Sequence, residues 1–166
     1  LYKHMLQPSD NLFAEQILLM ASGIDNDTLS TSATIERMKE EVFKDWTDEA
    51  VWVDGSGLSR YNMFTPRMMI KLLNTLRTEV GEERLLELLP AGGKSGTIKN
   101  WYAGESGPFV FAKTGTLSNN HALSGYIKTD SGKTLIFTFM ANHYAHSTSK
   151  VKESMEVMLR KIRKAY

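Results

Sequence analysis

FVFAKTGTLSNNHALSGYIKTDSGKTLIFTFMANH, residues 109–143, is the stretch whose reading decides the fold. Phe109 to Thr116, Ala122 to Thr129 and Thr134 to His143 are rich in aromatic and β-branched residues, which fit a pleated, half-buried surface. Asp130-Ser131-Gly132-Lys133 between the last two has the chemistry of a hairpin turn. We read three antiparallel strands. Beyond them, from Thr148, the apolar positions Val151, Met155, Met158, Leu159 and Ile162 return to a helical period, so an amphipathic helix packs on the sheet.

Upstream of the strands the patterning is helical. Leu12, Phe13, Ile17, Leu18 and Met20 fall at helical spacings behind Ser9 and Asp10, both candidate caps. Ser32 or Thr34 can cap a second helix running to about Trp46. Asp54 to Ser59 is a glycine-punctuated structured loop, and Gly23 to Thr28 is a turn-rich link. Thr65-Pro66 starts a third helix, with a side-chain cap followed by proline at the first helical position. Glu82 to Leu89 is a short helix ended by Pro90, and Ala91 to Gly96 is expected to be a flexible connection. Helices segregated from a β-meander define an α+β arrangement rather than a doubly wound sheet, and residues 1–166 are expected to form a single unit.

Composition narrows the function. A hydrophobic share of 42% is ordinary for a globular domain and argues against disorder. Twenty Lys and Arg against nineteen Asp and Glu leave a net charge of +1, too weak a field to imply nucleic acid, and we expect no nucleic-acid partner. The absence of cysteine excludes disulfides and thiolate chemistry. No apolar run approaches the roughly 20 residues of a membrane helix. The sequence opens at Leu1 without an initiator Met and enters a helical pattern within about ten residues, and it reads as a fragment.

Two short elements carry the chemistry. Ser9-Asp10-Asn11 alone is an ordinary helix cap, and Lys113-Thr114-Gly115 alone is a solvated lysine on an edge strand. In this order they match two of the three signatures of penicillin-recognising serine acyl-transferases, Ser-x-x-Lys, Ser-x-Asn and Lys-Thr/Ser-Gly. Gln7-Pro8-Ser9-Asp10-Asn11-Leu12-Phe13-Ala14-Glu15, Asp54-Gly55-Ser56-Gly57-Leu58-Ser59-Arg60 and Phe111-Ala112-Lys113-Thr114-Gly115-Thr116-Leu117, followed by Leu123-Ser124-Gly125-Tyr126, extend the match across nearly the whole chain. On these residues the chain resembles the C-terminal part of the penicillin-binding D-alanyl-D-alanine carboxypeptidases of the peptidase S13 family.

The resemblance implies part of a β-lactamase or transpeptidase-like domain, with an acyl-serine mechanism on peptidoglycan stem peptides, β-lactams as acylating ligands of the intact enzyme, and no cofactor. It places the protein in the periplasm or cell envelope. Ser9, Asn11 and Lys113 are then catalytic: Ser9 relays a proton, Asn11 holds a substrate carbonyl and an ammonium, and Asp10 holds the loop. Thr114, Gly115 and Thr116 bind substrate. Lys113 and Thr114 meet the terminal carboxylate, Gly115 lets the strand lie beside the peptide, and the Thr116 N–H is one oxyanion donor. The alternative is a noncatalytic stem-peptide-binding or scaffold module.

The nucleophile is the missing piece. Ser147-Thr148-Ser149-Lys150 has the Ser-x-x-Lys spacing but follows the Lys-Thr-Gly strand, and reads better as a helix cap. In the family this motif lies far upstream, so the chain alone is expected to be catalytically silent and to self-associate through uncovered apolar surface. Lys94-Ser95-Gly96 imitates the third motif without a preceding strand. His121, His143 and His146 lack the spacing and carboxylate partners of a metal site, and read as surface or hydrogen-bonded histidines.

Overall fold

The three strands form one antiparallel sheet in the order β1-β2-β3: β1 is Val110–Leu117, β2 Asn120–Lys128 and β3 Thr134–Asn142. The computed structural model describes residues 1–24, 27, 29–46 and 50–166. They fall into two units, one made of Leu1–Ser9 with Met69–Tyr166 and the other of Asp10–Met68.

The first unit holds the sheet. Register pairs Lys113 with Ser124 and Thr116 with His121 on β2, and period-two alternation then gives each face its own core. On one face Val110, Ala112, Leu123 and Ile127 pack with Ile98, Tyr102 and Phe109, and with Met155 and Leu159 of α6 (Thr148–Ala165). On the other face Tyr126 packs with Leu73 of α4 (Pro66–Val80) and with Leu85 of α5 (Glu82–Leu88) and Leu89, and the Tyr126 hydroxyl donates to the Leu73 carbonyl at 2.7 Å. Gly125 is demanded by this packing: a Cβ there would sit 2.6 Å from Ala112 Cα. The β2–β3 turn is built as the sequence reads, with Gly132 at φ 85°. Arg163 near the end of α6 is clipped to Asp130 of that turn at 2.6 Å. Ser147 caps α6 by accepting from the Lys150 N–H at 3.4 Å.

In this unit one helix is not anticipated and one expectation needs correcting. A short helix, α1 (Tyr2–Leu6), precedes the motif and has no apolar period long enough to announce it. Residues 91–96 are not a flexible connection: the Gly92 N–H donates to Val110 O at 2.8 Å, and Ala91 bridges to Phe111. The segment is tied to the first half of β1. It leads into a single 3₁₀ turn, Gly96–Ile98.

In the second unit, α2 (Asn11–Ser22) packs with α3 (Thr31–Glu41). Ser30 caps α3 through the Ala33 N–H, rather than Ser32 or Thr34, and the helix ends at Glu41 instead of running to Trp46. The Thr34 hydroxyl instead donates to Leu18 O at 3.2 Å, which joins α3 to α2. Thr65 caps the start of α4 as its Thr-Pro sequence expects, accepting from the Met68 N–H. Part of the Gly23 to Thr28 link lies outside the described residues.

Candidate active site

Lys113 and Ser9 meet in the first unit. The Lys113 ammonium donates to Ser9 Oγ at 2.5 Å and to the Thr114 carbonyl at 2.7 Å. Two features free Ser9 for this contact. Asp10, not Ser9, caps α2, its carboxylate accepting from the Phe13 N–H at 2.8 Å. Ser9 also sits at φ 62°, a left-handed conformation that costs a non-glycine residue energy and persists where the surroundings enforce it.

Gln7, two residues earlier, anchors this turn. Its side-chain amide donates to both Leu88 O and Leu89 O, at 3.2 and 2.8 Å, and so satisfies carbonyls left open at the end of α5. Gly96 must be glycine for the same contact, since its φ is 63° and a Cβ would fall 2.7 Å from the Gln7 amide oxygen. A surface cavity of about 420 Å³ lined by Gln7, Pro8, Gly96, Thr97 and Lys99 lies alongside.

Burial lowers the Lys113 pKa to about 8 from its ordinary 10.5, because an ammonium withdrawn from water is disfavoured. Among the described residues no carboxylate pairs with it. The site therefore presents a cation, half-desolvated and available to an anion from outside.

Among the described residues, the edge of β1 beside Lys113 pairs with no strand. Its first half is covered, since the Ala112 N–H donates to Pro90 O and Val110 O accepts from Gly92. In a strand, successive residues alternate their hydrogen-bonding groups between the two edges. Ala112 therefore sets the parity: the N–H and C=O of Thr114 and Thr116 point to the same side, where no strand pairs with them among the described residues and the Thr114 carbonyl accepts only from Lys113. Gly115 sits between them, exposed, and a Cβ there would meet only Ala122 Cβ at 4.0 Å. Neither backbone conformation nor packing among the described residues explains the glycine, and the space over it holds none of them within van der Waals contact except Ala122 Cβ.

The two threonine side chains are held from behind. Thr114 Oγ1 donates to Thr97 Oγ1 at 2.9 Å, and Thr116 Oγ1 is 2.8 Å from Nδ1 of His121. Sequence reasoning found neither partner. Thr97 follows Lys94-Ser95-Gly96, which was set aside as an imitation motif, and a register-based pairing of Thr116 with His121 was the one signal that could have found the histidine. His121 is buried and hydrogen-bonded, while His143 and His146 are exposed.

Asn11, the remaining expected catalytic residue, belongs to the second unit, where it is the first residue of α2. That helix start is braced there. Glu15 Oε2 accepts from the Gly55 and Ser56 N–H groups at 2.7 and 2.9 Å, fixing the Asp54–Ser59 loop against α2. A Cβ on Gly55 would lie 2.9 Å from Ala14 O, so only glycine allows this approach. Inside the loop, Asp54 accepts from Ser56, Gly57, Ser59 and Asn62. Burial pushes its pKa up, but these donors outweigh it and hold the carboxyl below its usual range. Asp54 organises the loop.

Ser147 and Lys150 lie at the start of α6, where Ser147 is occupied in capping. An overlapping match, Ser149-Lys150-Val151-Lys152, lies in the same first turns of the helix.

Residues 1–162 match the D-Ala-D-Ala carboxypeptidase 3 (S13) family, and the chain belongs to that family. It is 30% identical to carboxypeptidase DacB of Mycolicibacterium smegmatis over 168 residues, 95% of this chain and 36% of the relative. With the D-alanyl-D-alanine carboxypeptidase DacB of Haemophilus influenzae it shares 26% over 156 residues, 87% of this chain and 32% of the relative. Among solved structures, penicillin binding protein 4 (dacB) from Haemophilus influenzae, complexed with a novel β-lactam, superposes with a TM-score of 0.85 at 21% identity, over 98% of this chain and 41% of that one. Bd3459, a predatory peptidoglycan endopeptidase from Bdellovibrio bacteriovorus, gives 0.75 at 21% identity, over 98% and 42%. The α+β fold is the one these proteins share. The chain spans about a third of the length of the curated relatives and about two fifths of the solved ones.

Proposed function

We propose that this chain supplies the Ser-x-Asn and Lys-Thr-Gly elements of a serine-type D-Ala-D-Ala carboxypeptidase/endopeptidase that acts on peptidoglycan stem peptides in the periplasm or cell envelope. Residues 1–166 are then the C-terminal part of one transpeptidase-like domain. The observation that carries this reading is the 2.5 Å contact of the Lys113 ammonium with Ser9 Oγ beside an unpaired strand edge. A solvated surface lysine has no reason to be buried against a strained serine.

The stem peptide lies along the open edge of β1, over Gly115. Its terminal carboxylate is attracted by Lys113 and accepts from the Thr116 hydroxyl, and from the Thr114 hydroxyl once that O–H turns away from Thr97, while Asn11 holds a backbone carbonyl. The serine of a Ser-x-x-Lys element attacks the penultimate D-alanyl carbonyl, giving its proton to the neighbouring lysine. The Thr116 N–H stabilises the oxyanion, a contribution of about 2.7–4 kcal/mol for such a donor. The C–N bond then breaks, and the leaving D-alanine amine takes up a proton passed through Ser9, whose hydroxyl is replenished from Lys113; the Ser-x-x-Lys lysine hands on the proton it took from the nucleophile through the same hydroxyl, which restores the Lys113 ammonium. A lysine with a pKa near 8 exchanges protons readily near neutrality. Water hydrolyses the acyl-serine, and a β-lactam stalls at that stage.

The test is release of D-alanine from a stem pentapeptide, and of monomers from a cross-linked dimer, by the product of the complete gene. Activity there, with none from residues 1–166 alone, supports the reading. A complete product that binds stem peptide but cleaves neither substrate would favour a binding module instead.

A further inference from the structure

Thr116 and His121 are directly opposite each other across the β1–β2 hairpin, a pairing that brings side chains on one face together. His121 is 1% exposed, and its second ring nitrogen, Nε2, is buried with no hydrogen-bond partner among the described residues. Burial first, and then the charge of Lys152 on α6, keep the ring neutral, with a pKa of about 4. A neutral imidazole carries one proton, on either nitrogen.

The two placements are not equivalent here. A proton on Nε2 strands an N–H donor in the interior with its desolvation uncompensated, and orphaned buried N–H groups are rarer than underused acceptors. A proton on Nδ1 is donated to Thr116 Oγ1, and only a lone pair goes unused. The second arrangement also has a consequence for Thr116. Its hydroxyl already accepts from His121, so its single hydrogen is left to point elsewhere, and Thr116 is exposed at the rim of the open edge.

We propose that His121 is a positioning residue that fixes the Thr116 hydroxyl as a hydrogen-bond donor toward the open edge of β1, so that the edge selects a ligand presenting a carboxylate over one presenting an amide. This deepens the reading of that edge as the stem-peptide groove and rests on it. A carboxylate only accepts hydrogen bonds, whereas a C-terminal amide offers N–H groups that an oriented donor rejects.

Two measurements test it. Nitrogen-resolved NMR of the His121 ring in the 166-residue chain should show a protonated Nδ1 and a bare Nε2; a protonated Nε2 overturns the assignment. Steady-state kinetics of the complete gene product should then compare peptides ending in D-alanyl-D-alanine as the free acid and as the amide. His121→Phe should lower the acid-over-amide preference about tenfold, mainly through KM, the scale of one charge-assisted hydrogen bond. His121→Asn, whose amide donates from the place of Nδ1, should recover the preference, and His121→Gln, which donates from the place of Nε2, should not. An unchanged preference in His121→Phe, or equal losses on both peptides in all three variants, contradicts the proposal. If the unmutated protein takes neither peptide, the groove reading itself fails, and the ring spectrum still decides the His121 assignment.

Discussion

Lys113 and Ser9 are 104 residues apart in sequence and 2.5 Å apart in space. Each is prepared for the other: Asp10 takes the helix cap and leaves the Ser9 hydroxyl unclaimed, and burial gives the lysine a reason to keep the oxygens of Ser9 and Thr114 around it. A buried ammonium without these acceptors would be strongly disfavoured.

The first consequence is a pH signature. Lys113 should titrate near pH 8 in ¹³C-lysine NMR, apart from surface lysines near 10.4. Ser9→Ala, which removes an acceptor from the charged form, should move it lower still. The lysine is protonated in both folded and unfolded chains below pH 8, whereas between about 8 and 10.5 the unfolded chain holds the extra proton, so this residue makes stability rise with pH across that window. Urea unfolding of the parent and of Lys113→Met should diverge there, with the parent gaining stability as pH increases. Parallel curves would show a solvated lysine.

Gly125→Ala tests the register of the sheet. The added methyl meets Phe111 O and the Ala112 backbone inside the β1–β2 ladder, where neither neighbour can yield without displacing Lys113 as well. Loss of about 3 kcal/mol or more in denaturant unfolding is expected, at the upper end for overpacking. A loss under 1 kcal/mol would mean that the strands pair differently.

Glu15→Gln addresses the brace on the Asp54–Ser59 loop. It removes a charge from two short hydrogen bonds, and about 1–2 kcal/mol should be lost, with faster hydrogen exchange at the Gly55 and Ser56 amides before any change in the sheet. Uniform acceleration throughout the chain would argue against a local role.

Association should follow from the strand edges. β3 has no partner on its outer side among the described residues, and over Thr134–Asn142 it carries Leu135, Ile136, Phe137, Phe139 and Met140, a long apolar edge of the kind that pairs with another copy. Light scattering of the 166-residue chain should show mass rising with concentration. A monomer across a wide concentration range would contradict this.

Where period and chemistry are local, the sequence was legible. Three strands, the Asp130–Lys133 turn, the Thr-Pro start of α4 and the Ser147 cap of α6 all lie within a residue or two of their reading, because each is set by neighbours in the chain. The misreadings share a cause. Residues 91–96 looked mobile by composition, yet they are ordered by β1, a tertiary partner that no local pattern reports. Ser9, Asp10 and Ser30 are equivalent as caps by residue type, and only backbone geometry chose Asp10 and Ser30. The motifs named Lys113 and Thr116, but Thr97 and His121, which hold the Lys-Thr-Gly-Thr strand from behind, depend on register and on folding across the chain.

The most direct test is acylation of the complete gene product by a labelled penicillin, with and without Lys113→Ala. The Lys113–Ser9 pair predicts a labelled parent and a variant slowed at least about a hundredfold, since both the proposed anion site and the proposed proton relay would be lost. Equal labelling rates, or labelling of residues 1–166 at Ser147, would contradict it.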